Sequence, residues 1–112
     1  MRLEAYSEVF KNLLLRNVTI RCNNKILRTG KIKNFAIKQF IIKLFIENNK
    51  GHVRILQLPY PFDINQAGHL ITLNYKIGTS CQNNSELHYK IKLLSKRNIS
   101  KFYDNEVEIV ST

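Results

Sequence analysis

From Val18 onward the chain keeps a period of two. Val18, Ile20 and Cys22 alternate with Thr19 and Arg21, and such alternation sends successive side chains to opposite faces of an extended strand. The same habit recurs in "ILRTGKIKNF", "FIIKLFI", "HVRILQL", "HLITLNYKI", "LHYKIKLL" and "NEVEIV". Between the runs stand tight polar turns, "NNK" at 23–25 and "ENNKG" at 47–51, and two longer loops, one centred on "PYPFDINQAG" and one at "GTSCQNNSE". Linkers this short cannot hold the helical crossovers that parallel strands need, so antiparallel pairing is expected. Five to seven short strands separated by turn signals predict a small barrel or sandwich.

Ahead of the strands lies a different period. Leu3, Tyr6, Phe10, Leu13 and Leu14 recur at steps of three and four, which lines them along one stripe of a helix over residues 3–15. Glu4 and Glu8 in its first half, with Lys11 and Arg16 in its second, suit the helix dipole. A chain of 112 residues with 44% hydrophobic content is one domain with a modest core. The expected fold is mainly β: an N-terminal helix at about 3–15 and a strongly bent antiparallel barrel over about 18–110.

Two stretches stand out within that frame. In "FIIKLFI", Phe40, Ile42, Leu44 and Ile46 share one face, while Ile41, Lys43 and Phe45 share the other. Apolar residues on both faces predict a strand covered on both sides, as in a barrel wall or subunit contact. In "LPYPFD" two prolines flank Tyr60 and withhold backbone donors, so the segment leaves the sheet, and the Tyr60–Pro61 bond is a candidate for the cis form. Tyr60 and Phe62 there serve either as a docking loop for a partner or a base, or as a rigid connector tucked onto the end of the barrel.

Several classes of function find no support in the residues. The apolar run from Phe40 to Ile46 is interrupted by Lys43 and falls far short of the roughly 18 residues of a membrane span. Glu4 and Glu8 stand where a signal peptide would carry basic and then apolar residues, so a cytoplasmic protein is expected. Cys22 and Cys81 are either a disulfide pair or, as preferred without an export signal, two free thiols. His52, His69 and His88 are scattered, Glu47 and Asp63 are isolated, and no nucleophile has an evident base. No enzyme activity, metal or cofactor is expected.

Charge points somewhere more definite. The formal net charge is +10, which favours anionic partners. Twelve of the eighteen basic residues are lysine in a chain also rich in isoleucine and asparagine, a bias that an A/T-rich coding sequence also produces. The distribution is uneven, however. Residues 16–54 hold ten basic residues and one acid, Glu47, whereas the end of the chain carries Asp104, Glu106 and Glu108. A basic first half suggests one positive surface. Arg21, Lys25, Arg28, Lys31, Lys33 and Lys38, with Gln39 beside them, are the candidate phosphate-binding residues. Phe35, Tyr60 and Phe62 are the candidates for stacking on bases. The alternatives are a solvated lysine face that protects an edge strand, and aromatics that belong to the core.

The order of these parts resembles the Sm and Sm-like RNA-binding proteins, which include bacterial RNA chaperones. The resemblance covers about residues 3–46. It rests on the helix "LEAYSEVFKNLLL", the strand "VTIRC", the turn "NNK", and a second strand in which four residues separate Lys25 from Gly30 and "GKIKNF" follows. Gly30 would let that strand bend sharply enough for a few strands to close a barrel. The family sets an aspartate after the aromatic and a polar residue soon after, where this chain has Ala36 and then Gln39. "KGHVRI" echoes the family's second motif. The resemblance implies assembly into rings through edge strands, and hence a homo-oligomer.

The leading expectation is therefore a basic β-rich protein that binds RNA or single-stranded nucleic acid without catalysis, as an oligomer. The competing one is an assembly module of a viral or ribosome-like particle, with the helix and the "LPYPFD" loop making protein contacts. A binder of membrane surfaces is a third, disfavoured because the helix lacks a markedly basic face.

Overall fold

The computed structural model describes residues 3–76, 93 and 100–112. The expected strand "LHYKIKLL", apart from Leu93, and Cys81 lie outside them. Among the described residues one N-terminal helix, α1 (Leu3–Asn12), precedes seven strands: β1 (Asn17–Cys22), β2 (Lys25–Lys38), β3 (Ile41–Glu47), β4 (Val53–Pro59), β5 (Asp63–Ala67), β6 (Leu70–Asn74) and β7 (Glu106–Ser111). They form a single sheet in the order β4-β3-β2-β1-β7-β6-β5, with every pairing antiparallel. Among the described residues no helix is long and apolar enough to cross a membrane.

Among the described residues the sheet is not closed, and β4 and β5 are both edges, so the expected closed barrel is corrected to an open sheet. The sheet nevertheless cannot lie flat. Seven flat strands would set β4 and β5 about 29 Å apart, yet four Cα steps from Pro59 to Asp63 reach at most about 14 Å. The two edges are thus drawn together at the Tyr60–Phe62 corner, where the Tyr60–Pro61 peptide is cis. Strand β2 carries much of the curvature. Its 14 residues would span about 43 Å if straight, longer than the molecule's largest dimension of 38 Å.

At Gly30 the backbone of β2 lies close against the end of β3. The φ of Gly30 is +156°, and a Cβ built on it would overlap the Glu47 carbonyl oxygen and come within 2.9 Å of Ile46 Cγ2. Only a residue without a side chain fits there. The turn between β1 and β2 places Asn23 and Asn24 at φ 54° and 63°, the paired left-handed conformation of a two-residue hairpin.

The inner face of the curl is the core. Val18, Ile20, Ile32, Ile42, Leu44, Ile46, Leu56, Leu58, Ile71, Leu73, Val107 and Ile109 are all buried there, in rows that the register sets side by side: Ile71 opposite Ile109 and Ile109 opposite Ile20, then Leu44 opposite Leu56. Helix α1 packs against this face through Tyr6 and Phe10, both buried, with Phe10 6.0 Å from Phe35 between ring centres. The helix is shorter than the expected 3–15, because Leu15 takes a left-handed φ of 66° and its N–H leaves the helix to bond the Ile32 carbonyl at 2.7 Å. The expected loop "PYPFDINQAG" is corrected in its second half, where Asp63–Ala67 forms edge strand β5. Among the described residues only one side of β5 has a strand to pair with, and its polar residues Asn65 and Gln66 are exposed.

Candidate nucleic-acid interface

Residues directly opposite each other in an antiparallel ladder share a face, so the register assigns each candidate. On β1, Val18, Ile20 and Cys22 are buried, which sends Asn17, Thr19 and Arg21 outward. Arg21 then lies opposite Ile26 on one side and Glu108 on the other. The tip of the hairpin, Asn23 and Asn24, lines a shallow depression with Asp104, Glu106 and Glu108. Arg21 and Lys25 are therefore neighbours of the acidic end of the chain rather than of the other cations.

Two bulges decide the rest of β2. The ladder shifts between Ile20 and Arg21, where Leu27 is the extra residue, and again where Lys33 is inserted between Ile32 and Asn34. The first bulge turns Ile26 outward, leaving it 61% exposed, and puts Arg28 in register with the buried Ile20. Arg28 is half-buried, and its Nη1 donates to the Leu27 carbonyl at 2.7 Å. The second bulge moves Phe35 to the inner face opposite Leu44, where it packs on Phe10. Lys38 and Gln39 lie at the far end of β2, where Tyr60 Oη donates to the Lys38 carbonyl at 2.6 Å. The expected single basic patch is thus divided: Arg21 on β1 and Lys25 lie at the hairpin, Arg28 is in register with the inner face, and Lys38 lies at the far end of β2. Lys31 and Lys33 hold the middle.

Of the stacking candidates, Phe35 is turned inward by this register and Phe62 is buried at the corner. Phe62 is fully buried, 4.5 Å from Tyr6 and 5.4 Å from Tyr75 between ring centres. Tyr6 Oη donates to the Phe62 carbonyl at 2.9 Å and accepts its N–H at 3.1 Å. Tyr75 Oη donates to the Pro59 carbonyl at 2.7 Å. Tyr60 packs between Tyr6 and Phe40. These rings satisfy buried backbone groups at the corner, so the connector reading of "LPYPFD" describes them.

The outward aromatic is one that the sequence did not nominate. Phe45 on β3 is half-buried, opposite the exposed Asn34 of β2 and the exposed Ile55 of β4. Lys43, two residues before it on the same face, lies opposite Ala36 and Gln57; Glu47, two residues after it, lies opposite Lys31 and Val53. The outward face of β2–β3–β4 therefore carries Lys31, Lys43 and the bulged Lys33 around Phe45, with Glu47 as its one carboxylate among the described residues. The signal was present in the alternation of "FIIKLFI", which sets Lys43 and Phe45 on a common face.

At one end of this surface an open groove of about 740 Å³ runs beside the Gly30 bend, lined by Asn17, Thr29, Lys31, Glu47 and Asn49. Its amides and hydroxyl can donate and accept, while Asn48 at its rim is occupied in the turn, its Oδ1 accepting the N–H of Lys50 at 2.9 Å and of His52 at 3.0 Å. Across the sheet the outward residues of β5, β6 and β7 include Asp63, Glu106 and Glu108 and no cation. Lys76, just past β6, pairs with Glu106 at 3.0 Å. Among the described residues no cluster of His, Cys, Asp and Glu could hold a metal. Cys22 is a free, buried thiol, raised above its ordinary pKa by burial and held back slightly by the charge of Lys101.

No family model, curated protein or solved structure matches this chain.

Proposed function

We propose that the protein binds RNA or another single-stranded nucleic acid, without catalysis, on the outward face of β2, β3 and β4. The observation that carries this reading is Phe45, an outward aromatic set among Lys31, Lys33 and Lys43. A single strand offers a line of phosphates and a series of unpaired bases. Cations beside an aromatic answer both: lysines displace the counterions condensed on the backbone, and a ring face stacks on any base. Separation from the carboxylates of β7 and β5 keeps the local field positive.

The Sm-like form belongs to the same proposal. The helix, the "VTIRC" strand, the asparagine turn and the glycine at position 30 of β2 support it, whereas two edges unpaired among the described residues set this sheet apart from a closed barrel. The ligand class would be the family's, reached by other residues, since Phe35 faces the core and Ala36 stands in place of the aspartate.

Fluorescence anisotropy with a labelled twelve-nucleotide single-stranded RNA tests the reading. We expect micromolar binding at 50 mM salt. If three or four phosphates are neutralised, affinity should fall roughly 20- to 50-fold at 200 mM salt. Absence of binding at 50 mM, or binding indifferent to salt, would overturn the proposal in favour of a protein-assembly role.

A further inference from the structure

The two edges of the sheet are built differently. Strand β5 is five residues long, begins two residues after Pro61, and exposes Asn65, Gln66 and Ala67; short and polar, it is a blunted edge. Strand β4 is seven residues long, pairs with β3 without a bulge, and leaves Val53 51% and Ile55 37% exposed. Its one charged residue is Arg54.

Which backbone groups β4 presents follows from the ends of the β3–β4 ladder. The Tyr60 N–H bonds the Phe40 carbonyl at 3.0 Å, and the Asn48 N–H bonds the His52 carbonyl at 2.9 Å. Hydrogen-bonded pairs alternate in an antiparallel ladder, so between these ends Ile42–Leu58, Leu44–Leu56 and Ile46–Arg54 are the bonded pairs. Val53, Ile55 and Gln57 therefore turn their N–H and C=O groups to the free edge. The series stops at Pro59, which has no N–H and whose carbonyl is taken by Tyr75. Six groups remain, and no strand among the described residues pairs with them.

We infer that β4 pairs with β4 of a second copy of this chain, antiparallel about a twofold axis through Ile55. This register sets Val53 opposite Gln57 of the second copy, Ile55 opposite Ile55, and Gln57 opposite Val53, and it satisfies all six groups. Centring on Arg54 would place two arginines face to face, which is unfavourable. Centring on Leu56 would oppose Val53 to Pro59 and waste bonds. In the Ile55 register Arg54 faces Leu56. The cross-strand row Lys43–Gln57 continues into Val53 and Glu47 of the second copy, and the register sets no like charges directly opposite each other. Exposed Val53 and Ile55 are the side chains that the pairing covers.

The experiment uses the whole chain without nucleic acid, so its result is independent of the RNA reading. Sedimentation equilibrium at about 100 µM should show a dimer. Ile55→Lys, which sets two ammonium groups against each other at the axis, should sediment as a monomer with an unchanged circular dichroism spectrum. Gln57→Pro removes only an edge-facing N–H and should do the same. Ile55→Cys tests the register directly, because bonded partners lie about 5.5 Å apart between Cα atoms, within disulfide reach. Under mild oxidation it should cross-link to a dimer, whereas Val53→Cys should not. A monomeric wild type, a dimer that survives both Ile55→Lys and Gln57→Pro, larger rings, or equal cross-linking at 53 and 55 would each overturn the inference.

Discussion

At the β4–β5 corner, Tyr60 and Phe62 turn into a column of rings with Tyr6 and Tyr75. On β3, Phe45 turns the other way, into the open among lysines. Both places combine aromatics with polar neighbours. At the corner the neighbours are backbone groups that the tyrosine hydroxyls must satisfy because water is excluded. On the outward face they are ammonium groups that solvent already satisfies, which leaves them available to a ligand. An aromatic's role here is set by where the fold places it, at a corner between strands or at an outward position of a ladder, and not by the residues beside it in sequence.

Alanine substitutions break the comparison most forcefully. Phe62→Ala should lower unfolding free energy by about 3–5 kcal/mol, the usual cost of emptying a fully buried aromatic site. Phe45→Ala should cost about 1 kcal/mol or less, since that ring is only partly buried and lies on the outward face. Urea denaturation of the two variants measures both. Equal losses would mean that Phe45 is core and the outward face is not a platform.

A smaller effect separates the two halves of the sheet. Lys31→Glu with Lys43→Glu should weaken RNA binding at 50 mM salt by about 100-fold, while Phe45→Ala should weaken it by about 10-fold through lost stacking. Neutralising the other half, Glu106→Gln with Glu108→Gln, should leave affinity unchanged or raise it about twofold by removing distant repulsion. If the glutamate pair mattered as much as the lysine pair, the ligand would lie across the whole sheet instead of on β2–β4.

Much of this architecture was legible in the alternation. Period-two runs located β1, β3, β4, β6 and β7, the helical stripe located α1, and the two prolines marked the corner. What the alternation could not show was the two bulges. Counting strictly by twos puts Phe35 on the face of Lys31 and Lys33, where it would make a plausible stacking residue. One inserted residue at Lys33 sends it to the core instead. The bulge at Leu27 likewise puts Ile26 and Arg28, which strict alternation would leave on one face, on opposite faces. A bulge depends on where neighbouring strands anchor, here on Ile32 exchanging bonds with Leu15 and Arg16, and that is not a local property. Strand β5 escaped notice for a related reason: an edge strand packed on one side needs only Ile64 to hold it, so "DINQA" reads as loop.

The smallest effect tests the alternation of faces at a single step of β1, where outward Arg21 is followed by inward Cys22. The Cys22 thiol is buried, with Sγ 3.8 Å from the Lys101 carbonyl, and burial raises its pKa above the ordinary 9.0. A proton held more tightly in the folded state than in the unfolded one stabilises the fold fully below pH 9, where both states are protonated. As pH rises above 9 the unfolded chain ionises first, and the contribution disappears as the folded pKa is passed. Wild type should therefore lose stability more steeply between pH 8.5 and 10.5 than Cys22→Ala, whose overall stability is lower by about 1 kcal/mol for the lost packing. Every other side chain is common to both proteins, so the difference in slope isolates the thiol. Parallel slopes would place Cys22 in contact with water, and with it would fall the assignment of Arg21 to the outward face.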